Sequence, residues 1–165
     1  MLTENELIKF RRELHSYPET GWCEFVTTHK IVEKLRSFGL DPIYGRQVIN
    51  PEFVAGRNPA KVEEAKKAAL DKGVPPEFIE SMQDYTGVAA IFETGRPGPV
   101  LAIRFDMDCV DVDEAHEAGH RPFDEGWAST NPGHMHSCGH DGHTTMGIAV
   151  CNLSLIHISE PTRPY

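Results

Sequence analysis

One short segment of the chain is rich in side chains that bind metal ions. Eleven residues, His134 to Thr144, contain four imidazoles, one thiol and one carboxylate. Thiolate and imidazole ligands suit zinc, manganese, cobalt or iron far better than calcium or magnesium. Because the ligands of one ion must converge, the fold has to bend this segment round a common point. Gly139 and Gly142 permit such a bend.

Cys138 and His140 are the first candidate ligands, because residues i and i+2 of an extended backbone project to the same side. Asp106 and Asp108 have the same spacing and directly follow an apolar run, residues 99–105. In α/β folds ligands bind beyond the carboxyl ends of strands, so these carboxylates are placed to orient a histidine or bind a metal. A nucleophilic Cys138 is the less favoured alternative, because a thiol hydrolase pairs its cysteine with a spatially separate histidine.

Helical spacing of apolar residues predicts two helices at the start of the chain, over residues 4–15 and 24–38. Gly39 stands where a C-terminal glycine cap belongs. Residues 50–84 are rich in Lys, Glu, Ala and Pro and contain two further helical patterns, which predict a mostly solvated helical excursion. A last helix is predicted to begin near Gly139.

Two short apolar runs, residues 87–94 and 99–105, are separated by a Gly-Arg-Pro-Gly turn. They predict an antiparallel hairpin of two strands. Their almost continuous apolar character indicates a sheet that is covered on both faces. With helices before and after it, this sheet predicts an α/β fold.

Composition narrows the function classes. The net charge of -9 argues against nucleic acid and anionic membrane as partners. No apolar run approaches the roughly 18 residues that a membrane helix needs, and the acidic start does not resemble a signal peptide. The four cysteines are widely spaced and form no CxxC pair, which favours a reducing cytoplasm.

Residues 135–144 closely resemble MHACGHDGHT, a signature of a family of metal-dependent amidohydrolases. That family includes aminoacylases, hippurate hydrolases and the hydrolases of indole-3-acetyl-amino-acid conjugates. Residues 11–19 resemble its opening RRxLHxxPE, and residues 104–108 resemble its RxDMDAL. The likeness runs over residues 4–152 and is greatest for the branch that acts on aminobenzoyl-glutamate.

This resemblance implies a three-layer α/β/α catalytic domain with two divalent metal ions, zinc or manganese. It implies hydrolysis of the amide in a small N-acyl or N-aroyl amino acid, of the p-aminobenzoyl-glutamate type or, alternatively, an indole-3-acetyl conjugate. By position Cys138 and His140 match metal ligands, and Asp108 matches an active-site carboxylate. Four other motif residues are expected to support the site: Asp106, His136, Asp141 and His143.

The chain also departs from this family. The family takes its general base from a Glu-Glu pair after a later strand, whereas the pair here, Glu63-Glu64, lies upstream and does not match. The likeness also ends abruptly after about Asn152. We therefore take residues 1–152 as the N-terminal part of a truncated catalytic domain, and residues 153–165 as a non-native tail. Such a part is expected to be inactive and poorly stable.

Two expectations concern the complete enzyme. By resemblance it is a dimer or pairs with a homologous partner protein. A non-catalytic metal-binding module that uses the His/Cys segment alone is the alternative function.

Overall fold

Six α-helices and two short strands are present in the computed structural model, which describes residues 1–93, 95 and 97–159. The helices are α1 (Glu4–His15), α2 (Phe25–Arg36), α3 (Pro59–Asp71), α4 (Pro76–Ser81), α5 (Arg121–Asp124) and α6 (His140–Ser159). The strands are β1 (Ile43–Tyr44) and β2 (Val88–Ala89), and 3-10 turns occupy Gly45–Gln47 and Pro51–Phe53. Within the described part, no helix has the length and apolar character that crossing a membrane requires.

The first two helices form where apolar spacing predicts them. A capping box starts α1: the Thr3 hydroxyl accepts the Glu6 amide at 3.3 Å, and the Glu6 carboxylate accepts the Thr3 amide at 2.8 Å. Helix α2 ends at Arg36, and Gly39 shortly after it has a φ of 81°, the left-handed conformation that commonly follows the end of a helix. The Leu40 amide then donates to Leu35 O at 3.2 Å.

Two apolar clusters make the core. One joins α1, α2 and α6 through Phe10, Leu14, Ile31, Leu35 and Ile148. The other packs α2 against the excursion of residues 50–84, which supplies six of its nine buried members: Val62, Ala69, Val74, Phe78, Ile79 and Met82.

The prediction of a mostly solvated excursion is therefore wrong for one face of it. Its Lys and Glu residues dominate the composition, but Val62, Ala65 and Ala69 recur at helical spacing and lie against α2.

The sheet is small. Strands β1 and β2 are antiparallel, with Ile43 opposite Ala89 and Tyr44 opposite Val88. The predicted hairpin is wrong, because residues 99–105 belong to no strand in the described structure. A strand is stabilised by the hydrogen bonds of a neighbouring strand. The described residues provide no such neighbour here, and Val100 and Leu101 are 99% and 82% exposed.

Two isolated β-bridges position the loop that follows residues 99–105. Cys109 pairs with Thr20 in parallel, and the Cys109 amide donates to Glu19 O at 2.8 Å. Val110 pairs with Met135 in antiparallel fashion through two hydrogen bonds of 3.3 and 3.2 Å. The loop is thus fixed to the N-terminal turn on one side and to the metal-binding segment on the other.

Helix α6 begins inside that segment, as predicted, and continues to Ser159. Residues 160–165 lie outside the described residues. The assignment of residues 153–165 to a non-native tail stays a prediction.

Candidate metal centre

Three side chains from the two predicted site segments converge. One ligand atom each from Asp106, His140 and His143 lies within 4.8 Å of the other two. Asp106 Oδ2 is 3.9 Å from His140 Nε2 and 3.8 Å from His143 Nδ1. The two imidazole rings stack with centroids 5.2 Å apart. Two imidazoles and a carboxylate, each partly open to solvent, fit a divalent ion such as zinc or manganese.

The first turn of α6 explains why the two histidines meet. Residues three apart on a helix lie on the same face, so His140 and His143 both point toward Asp106. Asp106 has a partner at its carboxylate and another at its carbonyl. Asp106 Oδ1 lies 2.6 Å from Nη1 of the exposed Arg104, and Asp106 O accepts a hydrogen bond from the Thr144 hydroxyl at 3.0 Å.

Asp108 orients His140 without belonging to the three-residue cluster. His140 Nδ1 lies 2.9 Å from Asp108 Oδ1 and 3.0 Å from Asp108 O. A proton on Nδ1 is thereby held in place, which leaves Nε2 with a lone pair on the side of Asp106. Metal-binding histidines commonly have this partner for the second nitrogen.

The structure does not bring Cys138 into this cluster. Its side chain is exposed, and the three converging residues are His140 with two that the resemblance assigns only a supporting place, Asp106 and His143. Helical spacing from His140 is the sequence signal for His143, whereas the i, i+2 spacing of Cys138 and His140 presupposes an extended backbone. Cys138 stays a predicted ligand.

A buried polar network of four residues adjoins the cluster, and Asp141 is the only one of the four that the sequence predicts as a site residue. His15, the last residue of α1, is 4% exposed. Its Nδ1 is 2.9 Å from Asp141 Oδ2, and its Nε2 is 3.0 Å from Glu114 Oε1. Arg11 Nε also donates to Asp141 Oδ2 at 3.0 Å. Asp141, predicted as a supporting residue, thus joins α6 to α1.

Charge compensation sets the protonation of this network. Burial alone lowers the pKa of His15, but hydrogen bonds to Asp141 and Glu114 outweigh it and raise the pKa. Burial raises the pKa of Asp141, and the bonds from His15 and Arg11 more than reverse that effect and lower it. The same balance lowers the pKa of Glu114. The network therefore favours the imidazolium form of His15 between two carboxylates.

His136, the remaining supporting residue, is neutral and enclosed. It is 3% exposed, and neither of its ring nitrogens has a hydrogen-bond partner in the described structure. Burial lowers its pKa to about 4. Its ring centroid lies 6.3 Å from that of His15.

Known proteins resemble this chain in sequence. Residues 102–164 match the model of peptidase family M20/M25/M40. A Haemophilus influenzae protein, named as the homolog of one subunit of p-aminobenzoyl-glutamate hydrolase, is 46% identical over 147 residues, which are 88% of this chain and 35% of that protein. The indole-3-acetyl-aspartic acid hydrolase of Enterobacter agglomerans is 41% identical over 150 residues, 90% of this chain and 34% of that protein.

Solved structures agree with the sequence likeness. An aminobenzoyl-glutamate utilization protein from Klebsiella pneumoniae superposes with a TM-score of 0.70 at 26% identity, over 94% of this chain and 33% of that one. A Bacillus subtilis protein described as a dinuclear metal binding peptidase of the M20 family gives 0.61 at 27% identity, over 94% and 32%. These neighbours confirm the predicted fold class. This chain spans about a third of the length of each of them. The chain thus resembles peptidase family M20/M25/M40 over residues 102–164, and it is similar to these longer proteins over about a third of their length.

Proposed function

We propose that this chain contributes metal-binding residues to an amidohydrolase that cleaves N-acyl or N-aroyl amino acids. The observation that carries the proposal is the convergence of Asp106, His140 and His143, with His140 oriented by Asp108. The named relatives hydrolyse amides of this class, but the chain spans about a third of their length. The complete activity therefore belongs to a protein longer than the part described here.

The chain's own residues prepare the site for its metal. A zinc or manganese ion bound there would lower the pKa of a water molecule and polarise the substrate carbonyl. His140 presents Nε2 to the ion, because Asp108 keeps the proton on Nδ1. Asp106 and His143 complete a three-residue face, and exposed Cys138 on the same segment is the proposed further ligand. In the complete enzyme we infer two ions, the second completed by residues outside this chain.

The substrate class follows from the relatives. p-Aminobenzoyl-glutamate and indole-3-acetyl-aspartic acid, named for two of them, each join an acyl group to a dicarboxylic amino acid through an amide. We infer a substrate of that kind, with p-aminobenzoyl-glutamate preferred. The Haemophilus relative is named for one subunit of a hydrolase, which supports pairing with a second, different protein. All four cysteines are free thiols, which supports a cytoplasmic site of action.

Calorimetric titration of the metal-free chain with Zn²⁺ tests the ligand assignment. We expect one ion per chain, loss of binding in His140→Ala, and affinity reduced about 10-fold in Asp108→Ala, where the backbone carbonyl still faces Nδ1. His116→Ala is the matched control, since His116 is exposed and does not belong to the converging cluster. Undiminished binding by His140→Ala would contradict the proposal.

The reaction is tested in a full-length protein that carries this segment. We expect metal-dependent release of glutamate from p-aminobenzoyl-glutamate, abolished by His140→Ala. Zinc binding without cleavage of either acyl-amino-acid type would favour the non-catalytic module. Cleavage that resists chelators but is blocked by a thiol reagent would favour a thiol hydrolase with Cys138 as its nucleophile.

A further inference from the structure

His15 connects two buried carboxylates that come from distant parts of the chain. Asp141 lies 126 residues away and Glu114 lies 99 residues away, and each carboxylate contacts one nitrogen of the His15 ring. Neither carboxylate has any exposed side-chain surface. Because carboxylate oxygens only accept, both ring nitrogens must carry a proton, and the imidazolium compensates two buried charges.

Each carboxylate is fixed by other groups as well. Asp141 accepts Arg11 Nε at 3.0 Å and the Gly142 amide at 2.8 Å. Glu114 accepts one hydrogen bond from Nε2 of a second histidine, His120, at 2.9 Å, and another from the Ser129 amide. His15 is thus the link between two fully hydrogen-bonded carboxylates, and not one weak contact among many.

The position of Asp141 on α6 connects this link to the candidate metal centre. Asp141 follows His140 directly, and successive helical residues are turned about 100° from each other. Asp141 therefore faces α1 while His140 and His143 face Asp106. Fixing Asp141 to α1 sets the rotation of the first turn of α6 about its axis.

We propose that His15 is a positioning residue of the metal centre, which fixes Asp141 relative to Glu114 and thereby makes His140 and His143 converge on Asp106. This inference rests on the proposed function, because the residues being positioned are its candidate ligands. His15 itself does not belong to the converging cluster.

If His15 has only a structural role, its substitution should have a different effect. The ring also packs edge-on against Trp127, with centroids 4.9 Å apart, so its loss will cost packing in any case. Packing loss alone lowers the free energy of unfolding and can speed amide exchange throughout the chain, but it leaves the metal affinity of the folded chain unchanged and does not single out residues 139–145. Those two quantities separate the alternatives.

The test compares His15→Gln with His29→Gln in the 165-residue chain. Glutamine offers donors from one nitrogen only and cannot span two carboxylates as the imidazole does. His29 is the matched control: it is half-buried on α2 and contacts an aromatic ring, Phe78, at 4.7 Å, with no carboxylate partner among the described contacts. The measurements are Co²⁺ affinity from its visible absorption spectrum and hydrogen exchange of residues 139–145 in the metal-free chain.

We expect His15→Gln to weaken Co²⁺ binding about 10-fold, the lower end of the effect known for outer-shell residues. We also expect faster exchange in residues 139–145 than elsewhere in the chain, with His29→Gln like the unsubstituted chain in both measurements. Equal Co²⁺ affinity and equal exchange in His15→Gln would overturn the inference.

The two arms keep the inference separate from the proposed function. If the unsubstituted chain binds no Co²⁺, the proposed metal site fails, and the exchange arm still decides about His15. Complete exchange of residues 139–145 in the unsubstituted chain would contradict the inference, because no fixed segment would exist. If His15→Gln does not fold, Glu114→Gln takes its place, because it removes the charge at one end of the link. This variant must also speed exchange of residues 139–145, and unchanged exchange would overturn the inference.

Discussion

At the scale of single residues, two buried glutamates stand beside the loop that carries Asp106 and Asp108. Glu19 accepts the Val26 amide at 3.0 Å and the Thr27 amide at 2.7 Å, at the start of α2. Glu24 accepts the Thr86 hydroxyl. Burial raises the pKa of each carboxyl to about 7, against these hydrogen bonds, and Asp108 adds to the shift at Glu24. The surroundings of the site therefore titrate near neutral pH.

This burial predicts how stability depends on pH. The Glu24 carboxyl has a pKa of about 7 when folded and 4.5 as its ordinary value, so the folded state binds its proton more tightly. The stability that this proton contributes is present below the unfolded pKa and is lost as pH rises through the folded one. We predict that the free energy of unfolding in urea falls between about pH 5 and 7, by at most about 1.4 kcal/mol per pH unit for each such carboxyl.

The Glu24→Gln variant should lose its share of that slope, because the amide does not titrate. Glu80→Gln, at an exposed glutamate of α4, is the control and should keep the slope of the unsubstituted chain. His15, whose pKa is also raised, contributes a slope of the same sign, so only the difference between the variants isolates Glu24. An unchanged slope in Glu24→Gln would show that its carboxyl is ionised throughout this range.

At the scale of elements, α6 supplies two of the three converging side chains and contacts the loop that supplies the third. Its first turn presents His140 and His143, and Thr144 binds the carbonyl of Asp106. One turn further along, buried Gly147 lies against the ring of Phe105, the residue before Asp106. A Cβ on residue 147 would stand 2.8 Å from Cδ2 and 3.0 Å from Cγ of that ring. The missing side chain lets the loop approach the helix.

We predict that Gly147→Ala moves Asp106 away from His140 and His143. The added methyl group forces Phe105 and its neighbour Asp106 away from α6, at a cost of about 1–3 kcal/mol, typical of overpacking. Zinc affinity should fall with it. Gly142→Ala is the matched control on the same helix, since nothing lies within 4 Å of its added Cβ. Urea unfolding and zinc titration of both variants check this, and equal behaviour of the two would contradict it.

Local patterns predicted the helices but not all of their surroundings. Apolar spacing and Gly39 sufficed for α1 and α2, because a helix's hydrogen bonds lie within its own segment. The hairpin failed because strand hydrogen bonds depend on a neighbour that local sequence does not reveal. In the same way the motif supplied Asp106, His140 and His143, whereas His15 and Glu114 have partners about a hundred residues away in sequence. Only the fold brings those residues together.

At the scale of the whole molecule, the chain leaves apolar surface uncovered. Ile91, Val100, Leu101 and Ile103 are 68%, 99%, 82% and 59% exposed, in the region for which the sequence predicts a covered sheet. The relatives are about three times as long as the chain segment that matches them. Contiguous exposed apolar residues promote association between molecules. This surface gives a physical reason for the poor stability that the sequence predicts for the chain alone.

The last prediction concerns that surface. Leu101 and Ile103 are two residues apart, so in an extended backbone they project to the same side. Replacing both by serine should remove this strip of exposed apolar surface. We predict several-fold slower aggregation by light scattering at equal concentration. The free energy of unfolding should change by no more than about 0.5 kcal/mol, because exposed side chains contribute little to the folded state.

Phe53→Ser is the matched control, because Phe53 is 83% exposed but stands outside this strip. A single exposed apolar residue is ordinary on a protein surface, so its loss should leave the aggregation rate nearly unchanged. If Leu101→Ser with Ile103→Ser unfolds the chain, these side chains are buried in solution and residues 99–105 pair with a neighbour after all. Equal aggregation rates of the double variant and the unsubstituted chain would show that another surface causes the aggregation.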